Sequence, residues 1–202
     1  MTLEAKESGG ATHPLHQSWI MWYDYQRFVN QSNPRDGLHK LSTIADVEGF
    51  WNVVDTIKPA SSLAFGANYH FFKDGVRPEW EDPANIDGGK WNIRIVDEEA
   101  DKIDSAWERT LMGLIGEYIF DPLERKHQGI ECIVTGAVLA RRRLNTRIEL
   151  WCNRCFDDDE TVKDIECRIR EIAGLEVKLS FHPHKKSIKS TITTLEAGSD
   201  VK

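Results

Sequence analysis

Trp80, Glu81 and Asp82 stand together in "RPEWEDP", residues 77–83, between Pro78 and Pro83. Proline fixes φ and removes a backbone donor, so this stretch is a loop and not a helix interior or a central strand. Loops on a rigid scaffold carry a large share of binding residues. An indole offers a flat, electron-rich face, and a carboxylate accepts two parallel hydrogen bonds from an edge that carries two donors. The bland alternative is that Trp80 folds onto a satellite cluster while the acids are solvated, and these seven residues alone do not separate the two.

Other residues in the chain could also do chemistry. "ARRRLNTR" (140–147) is the densest basic run in a chain of net charge −7. A few fixed guanidiniums suit two or three phosphates of a small anionic ligand, whereas a solvated hairpin tip needs no ligand at all. "HKKSIK" (184–189) could add cations from a tail. "LWCNRC" (150–155) has the Trp-Cys-x-x-Cys form of a thiol-disulfide oxidoreductase, with Cys152 and Cys155 as the pair. That chemistry wants a stabilised thiolate, and the acids of "DDDE" that follow would raise the thiol pKa instead. Zinc would need further ligands such as Cys167, His182 or His184, whose spacing matches no finger or ribbon. A nucleophile elbow, a Gly-rich phosphate loop and a His-Glu-x-x-His helix are all missing, so no motif of nucleophilic, phosphoryl-transfer or zinc-protease chemistry is read here.

The 202 residues, 40% of them hydrophobic, suffice for one domain with a sizeable core. An acidic chain, pI near 5.5, does not grip long nucleic acid by phosphate neutralisation, though a compact ligand with few phosphates remains compatible. Four cysteines without a signal peptide or a membrane-spanning run point to reduced thiols, a cytoplasmic protein with the nucleus as a second compartment, and no membrane partner. Residues 1–12 and 187–202 are small and polar and read as tails around a domain spanning 13–186. Seven tryptophans in such a chain ask for a reason.

The elements that must position these residues follow from hydrophobic period. "SWIMWYDY" (18–25), "YHFFKDG" (69–75) and "KWNIRIV" (90–96) read as strands, the second ending in an Asp-Gly turn and the third alternating Trp91, Ile93 and Ile95 with a polar face. "ECIVTGAVLARRR" and "TRIELWC" form a hairpin that places Arg142 in its first strand and Arg147 at the start of its second. Helices are expected over 46–57 with Asp46 as cap, over 104–119 with Trp107, Leu111, Leu114, Ile115 and Tyr118 on one side, and over 157–174 ending at Gly174. Trp107 reads as core, and Trp51 is divided between core and a partner. The sum is an α+β domain with a mainly antiparallel sheet.

Trp80, Glu81 and the basic hairpin are chemically complementary. Guanine presents an amide-plus-amino donor edge that a carboxylate can read, and adenine does not. A 7-methylguanine is also cationic and gains about 1 to 2 kcal/mol by stacking on an indole when desolvated. The ligand implied is a methylated guanine nucleotide.

These residues resemble the mRNA cap-binding translation initiation factor 4E family, over about residues 13–186. The resemblance rests on "HPL" (13–15), "WIMW" (19–22), "VEGFW" (47–51), "FKDGVRPEWED" (72–82), "GGKW" (88–91), "LIGE" (114–117) and "GAV" (136–138) followed by Trp151. It implies a curved, mainly antiparallel sheet of about eight strands backed by three helices, and binding of the 7-methylguanosine 5′ cap of mRNA by a monomer, without catalysis and without a cofactor. By the motifs, Trp80 stacks on the base, Glu81 reads its edge, Trp151 lies beside the methyl group, and Arg142, Arg147 and Lys90 meet the phosphates. Leu144 stands at a third basic position of the hairpin and Pro34 where the family has its second stacking aromatic; Tyr23, Tyr25 or Phe28 could replace it, Phe28 being the expected choice and a one-sided stack the alternative. The resemblance also implies a surface for an amphipathic helix of the scaffold subunit 4G or of a 4E-binding repressor, through His13, Pro14, Val47, Glu48, Trp51, Met112, Gly116 and Glu117. Gly49 and Arg109 replace acids there and leave the partner's identity open, while Pro34, Leu144 and Gly49 together support the alternative of a weakly cap-binding, repressive paralogue. The stretch 119–131 belongs to a segment about eight residues longer than the family's.

Overall fold

The computed structural model describes residues 12–25, 37–95, 101–118, 134–144, 146–156, 159–174 and 179–185. The two expected tails (apart from residue 12), the long segment around 119–131, Phe28 and Pro34 lie outside the described residues. Seven strands are found among them: β1 (Pro14–Tyr25), β2 (His39–Asp46), β3 (Ala67–Lys73), β4 (Gly89–Ile95), β5 (Val134–Ala140), β6 (Thr146–Cys152) and β7 (Leu179–Pro183). Three helices join them, α1 (Val47–Thr56), α2 (Ile103–Ile115) and α3 (Asp159–Ala173). All strand pairings are antiparallel, in the order β2-β1-β3-β5-β6-β4-β7, so the α+β class holds, with seven strands where about eight were expected.

Alternation along the strands divides the sheet into two unlike faces. Trp19 and Met21 of β1, Tyr69 and Phe71 of β3, Trp91 and Ile93 of β4 and Ile148 and Leu150 of β6 all enter one core cluster. There they meet Phe50 and Val53 of α1, Trp107, Leu111 and Leu114 of α2 and Ile165, Ile169 and Ile172 of α3. Trp19 stacks on Phe71 with ring centroids 4.8 Å apart, and Phe50 meets Phe71 edge-on at 6.5 Å. Trp107 is buried in that cluster, as its helical spacing indicated. The intervening residues, among them Asn68, His70 and Glu149, belong to the opposite face.

Local chemistry sets the ends of these elements. The Asp46 carboxylate accepts from the Gly49 amide at 2.6 Å and caps α1. Gly174, with φ of 66°, supplies the left-handed residue that follows α3. The Asp104 carboxylate accepts from both the backbone N–H (2.7 Å) and the hydroxyl (2.6 Å) of Ser61, tying the start of α2 to a short 3-10 turn at Ala60–Ser62. Helix α2 ends at Ile115, so Tyr118, expected on its apolar side, stands beyond it and is exposed. Arg142 likewise falls outside its expected strand, which stops at Ala140. At Gly88 any Cβ would lie 1.7 Å from the Cys152 carbonyl, so only glycine lets the chain enter β4 there. No helix among the described residues is long and apolar enough to cross a membrane.

Phe71 lies at the centre of this packing and is fully buried, whereas Trp51 of α1 is 39% exposed. Phe71→Ala is therefore expected to lower unfolding free energy by about 3–5 kcal/mol in urea denaturation, and Trp51→Ala by about 1 kcal/mol or less.

Candidate functional site

On the sheet face turned away from the helices lies a cavity of about 270 Å³. Phe72, Val138 and Trp151 form a small buried cluster there, with Val76 and Trp80 packed against it. The cavity is lined by Trp80 and Glu81 from the loop, Lys90 from β4, Arg147, Glu149 and Trp151 from β6, Arg142 beyond β5, and Asn68 and His70 from β3. Of the cap-site residues expected from sequence, Trp80, Glu81, Lys90, Arg142, Arg147 and Trp151 are thus brought together.

The two acids of "RPEWEDP" have different tasks. Asp82 is spent on the loop itself: its carboxylate accepts from the backbone N–H of Arg77 (2.9 Å) and of Ala84 (2.8 Å). Asn85, fully buried, donates to the carbonyls of Arg77 and Glu79 at 2.9 Å each. With the turn closed by its own side chains, Trp80 is left half-buried and Glu81 exposed at the cavity wall.

Glu149, 3% exposed, is the centre of the charged wall. It accepts from Lys90 Nζ at 2.9 Å, Arg147 Nε at 2.6 Å and Trp151 Nε1 at 3.1 Å. Burial pushes its carboxyl group up, but the charges of Lys90 and Arg147 and their hydrogen bonds prevail and hold it below the usual carboxylate range. The Lys90 ammonium lies 5.9 Å from the Trp80 ring centroid and 5.7 Å from that of Trp151, a cation already resting against two indoles. Arg142 donates to the carbonyls of Arg141 (2.8 Å) and Ala67 (3.3 Å). Burial and the nearby Arg147 charge press its guanidinium pKa downward, a repulsion that an anion between the two would relieve. Leu144, where a third cation was expected by the family pattern, is 81% exposed at the hairpin tip.

Tyr25 is not brought to this cavity. It packs against the helix-side core, on the side of Trp19 and Met21, with its ring next to Gly66. Strand alternation is the reason, since odd-numbered positions of β1 face the helices. Cys152 is fully buried, which pushes its thiol up, and Cys155 adds to the shift; a Cys152 thiolate is not available for redox exchange.

Sequence reasoning missed Glu149, and with it a polar group whose Asp24 charge reaches Arg142, where Asp24 accepts from Asn68 Nδ2 and bonds His70 Nε2 at 2.8 Å. The usable signal was alternation: Asn68 and His70 share one face of β3, as Arg147, Glu149 and Trp151 share one of β6.

A second surface gathers the expected partner residues. The Glu48 carboxylate accepts from the His13 backbone N–H at 3.0 Å and bonds its ring Nδ1 at 2.7 Å, while Val47 N donates to the His13 carbonyl at 2.9 Å. The hydrogen bond to Glu48, then its charge, raises the His13 pKa, and the same contacts bring Glu48 down to about 2. His16 bonds Glu117 at 2.8 Å, just past the α2 cap Gly116, whose amide reaches back to the Met112 carbonyl. The start of β1, with Pro14 as its first residue, therefore joins α1, which carries the exposed Trp51, to the end of α2.

Comparison with known proteins finds the family model described as "Eukaryotic initiation factor 4E" matching residues 14–197. The chain is 35% identical to translation initiation factor 4E of Candida albicans over 91% of this chain and 85% of that one. Against the Saccharomyces cerevisiae factor it is 32% identical over 87% and 78% of the two chains. Among solved structures, Ascaris suum eIF4E-3 with an m2,2,7G cap superposes with TM-score 0.75 at 28% identity, covering 87% of this chain and 93% of that one. A schistosome eIF4E complexed with m7GpppG and 4E-BP gives TM-score 0.74 at 29% identity, covering 86% and 90%.

One further group yields a pH test. His184 is fully buried with its ring 4.4 Å from that of Trp151, and neither ring nitrogen has a hydrogen-bond partner among the described residues. Burial, then the Lys90 charge, brings its pKa from 6.5 to about 4, against the pull of Glu149. A depressed pKa means the folded state refuses a proton that the unfolded chain binds. The contribution is complete above about 6.5 and is lost as pH falls towards about 4. Urea unfolding between those limits is expected to show a loss up to about 3 kcal/mol larger in the unaltered chain than in His184→Gln.

Proposed function

The chain belongs to the eukaryotic initiation factor 4E family, and we propose that it binds the 7-methylguanosine cap of mRNA in the sheet cavity and an amphipathic helix on its helical side. The observation that carries this reading is the meeting, in one cavity, of an accessible indole, an exposed carboxylate and two mutually repelling guanidiniums. Cationic 7-methylguanine stacks on Trp80, near the place where the Lys90 ammonium already draws on that ring. Glu81 accepts from the guanine amide and amino groups, Trp151 meets the methyl side, and the phosphates run to Arg142, Arg147 and Lys90. Binding needs no bond making and no cofactor. Phe28 remains the proposed cover for the second face of the base.

The partner is the scaffold subunit 4G or a 4E-binding repressor, and the solved schistosome relative with 4E-BP supports that mode. Trp51 is the anchor, since a large exposed aromatic beside braced helix ends is the usual centre of such an interface. A factor of this kind works in the cytoplasm, and a nuclear share is part of the same proposal. A specific observation favours one second reading, a partner-binding repressor with weak cap affinity: Glu149 already occupies Lys90 and Arg147. Retention on cap resin with and without a 4G peptide separates the two.

In fluorescence titration, 7-methyl-GTP is expected to quench the tryptophans at concentrations at least tenfold below those GTP requires, and equal curves would sink the reading. Glu81→Ala should weaken 7-methyl-GTP binding by about tenfold or more without lowering the melting temperature, because the exposed carboxylate loses a charged hydrogen bond and no packing. Trp51→Ala should weaken capture of a 4G-derived helical peptide by about tenfold or more and leave the 7-methyl-GTP titration in place.

A further inference from the structure

Resting on the cap-binding reading, we infer that Glu149 is a specificity-determining residue that shifts recognition towards the methylated base and away from the phosphate chain. Both its oxygens are engaged, Oε1 by Arg147 Nε and Oε2 by Lys90 Nζ and Trp151 Nε1. Two of the three cations lining the cavity therefore already share one negative charge before any ligand enters, which leaves them a single net positive charge between them. The third, Arg142, donates to backbone carbonyls. The lining as a whole sets Lys90, Arg142 and Arg147 against Glu79, Glu81 and Glu149.

A nucleotide entering this wall brings its phosphates close to a fixed anion that is 3% exposed, where water and salt screen poorly. The attraction of Lys90 and Arg147 for each phosphate is about half offset by the repulsion of Glu149. At the base end the sign reverses. A cationic 7-methylguanine is drawn by the same carboxylate, and the hydrogen bond from Trp151 Nε1 to it enriches the indole beside the methyl group. The ligand class that suits this balance is a 7-methylguanine nucleotide whose phosphates contribute little, so that a short phosphate chain serves nearly as well as a long one. Were Glu149 only a brace holding Lys90 and Arg147 ready for phosphate, its removal would have the opposite effect and weaken the triphosphate most.

The test is equilibrium titration of the full chain and of Glu149→Gln with 7-methyl-GMP, 7-methyl-GTP and GTP, with thermal melts as a check on folding. In the unaltered chain the triphosphate is expected to bind less than about tenfold more tightly than the monophosphate, and in Glu149→Gln that advantage is expected to rise by about tenfold. An unchanged or smaller advantage in a folded Glu149→Gln overturns the inference. If the variant does not fold, the unaltered chain decides alone, an advantage of tenfold or more overturning it. If the unaltered chain binds GTP as tightly as 7-methyl-GTP, the cap-binding reading itself fails, a result the phosphate comparison cannot produce.

Discussion

Because successive residues of a strand point to opposite faces, each central strand here must satisfy two demands at once. On β6 the alternate residues Ile148, Leu150 and Cys152 enter the core under the helices, while Arg147, Glu149 and Trp151 line the cavity. On β3 the same division separates Tyr69 and Phe71 from Asn68 and His70. A shift of one residue in register would turn the charged set into the apolar core and the apolar set to water. The stacking of Trp19 on Phe71, fixed by helices on one side, therefore also fixes the charged wall on the other.

That wall contains a carboxylate that burial alone would not tolerate. Taking an anion out of water costs several kcal/mol unless it is paired and its acceptors are filled, and Glu149 meets both conditions with an ammonium, a guanidinium and an indole N–H. The arrangement holds each partner as firmly as it holds Glu149. A cavity built so is organised before its ligand arrives, which spares the ordering of three long side chains. It also makes the wall less cationic than a count of its basic residues implies.

Part of this was legible in sequence. Trp80, Glu81, Arg142, Arg147, Lys90 and Trp151, which line one cavity, could be singled out because short-range motifs carry them, and α1 and α3 were found because Asp46 and Gly174 punctuate their ends. Strands β2 and β7 were missed for a physical reason: they are the two edges of the sheet, and each buries a single residue, Ile44 and Leu179, so little apolar signal marks them in the sequence. Tyr25 was placed at the base because nearness in sequence was taken for nearness in space, whereas its parity on β1 sends it to the other face. Glu149 escaped because its meaning lies in Lys90, 59 positions away, and no local pattern announces that pairing.

Strand β1 shows how one element can serve two surfaces without confusing them. At its start His13, just before it, pairs with Glu48 of α1 and His16 with Glu117 just past α2, and near its other end Asp24 bonds Asn68 and His70 at the cavity. Between those ends Trp19 and Met21 are buried in the core, packed against groups that belong to neither surface. Close-packed side chains of this kind have a single low-energy arrangement and yield little to a load at either end. The helical side can therefore take up a partner, and the cavity a nucleotide, each on a scaffold whose shape the other does not have to supply.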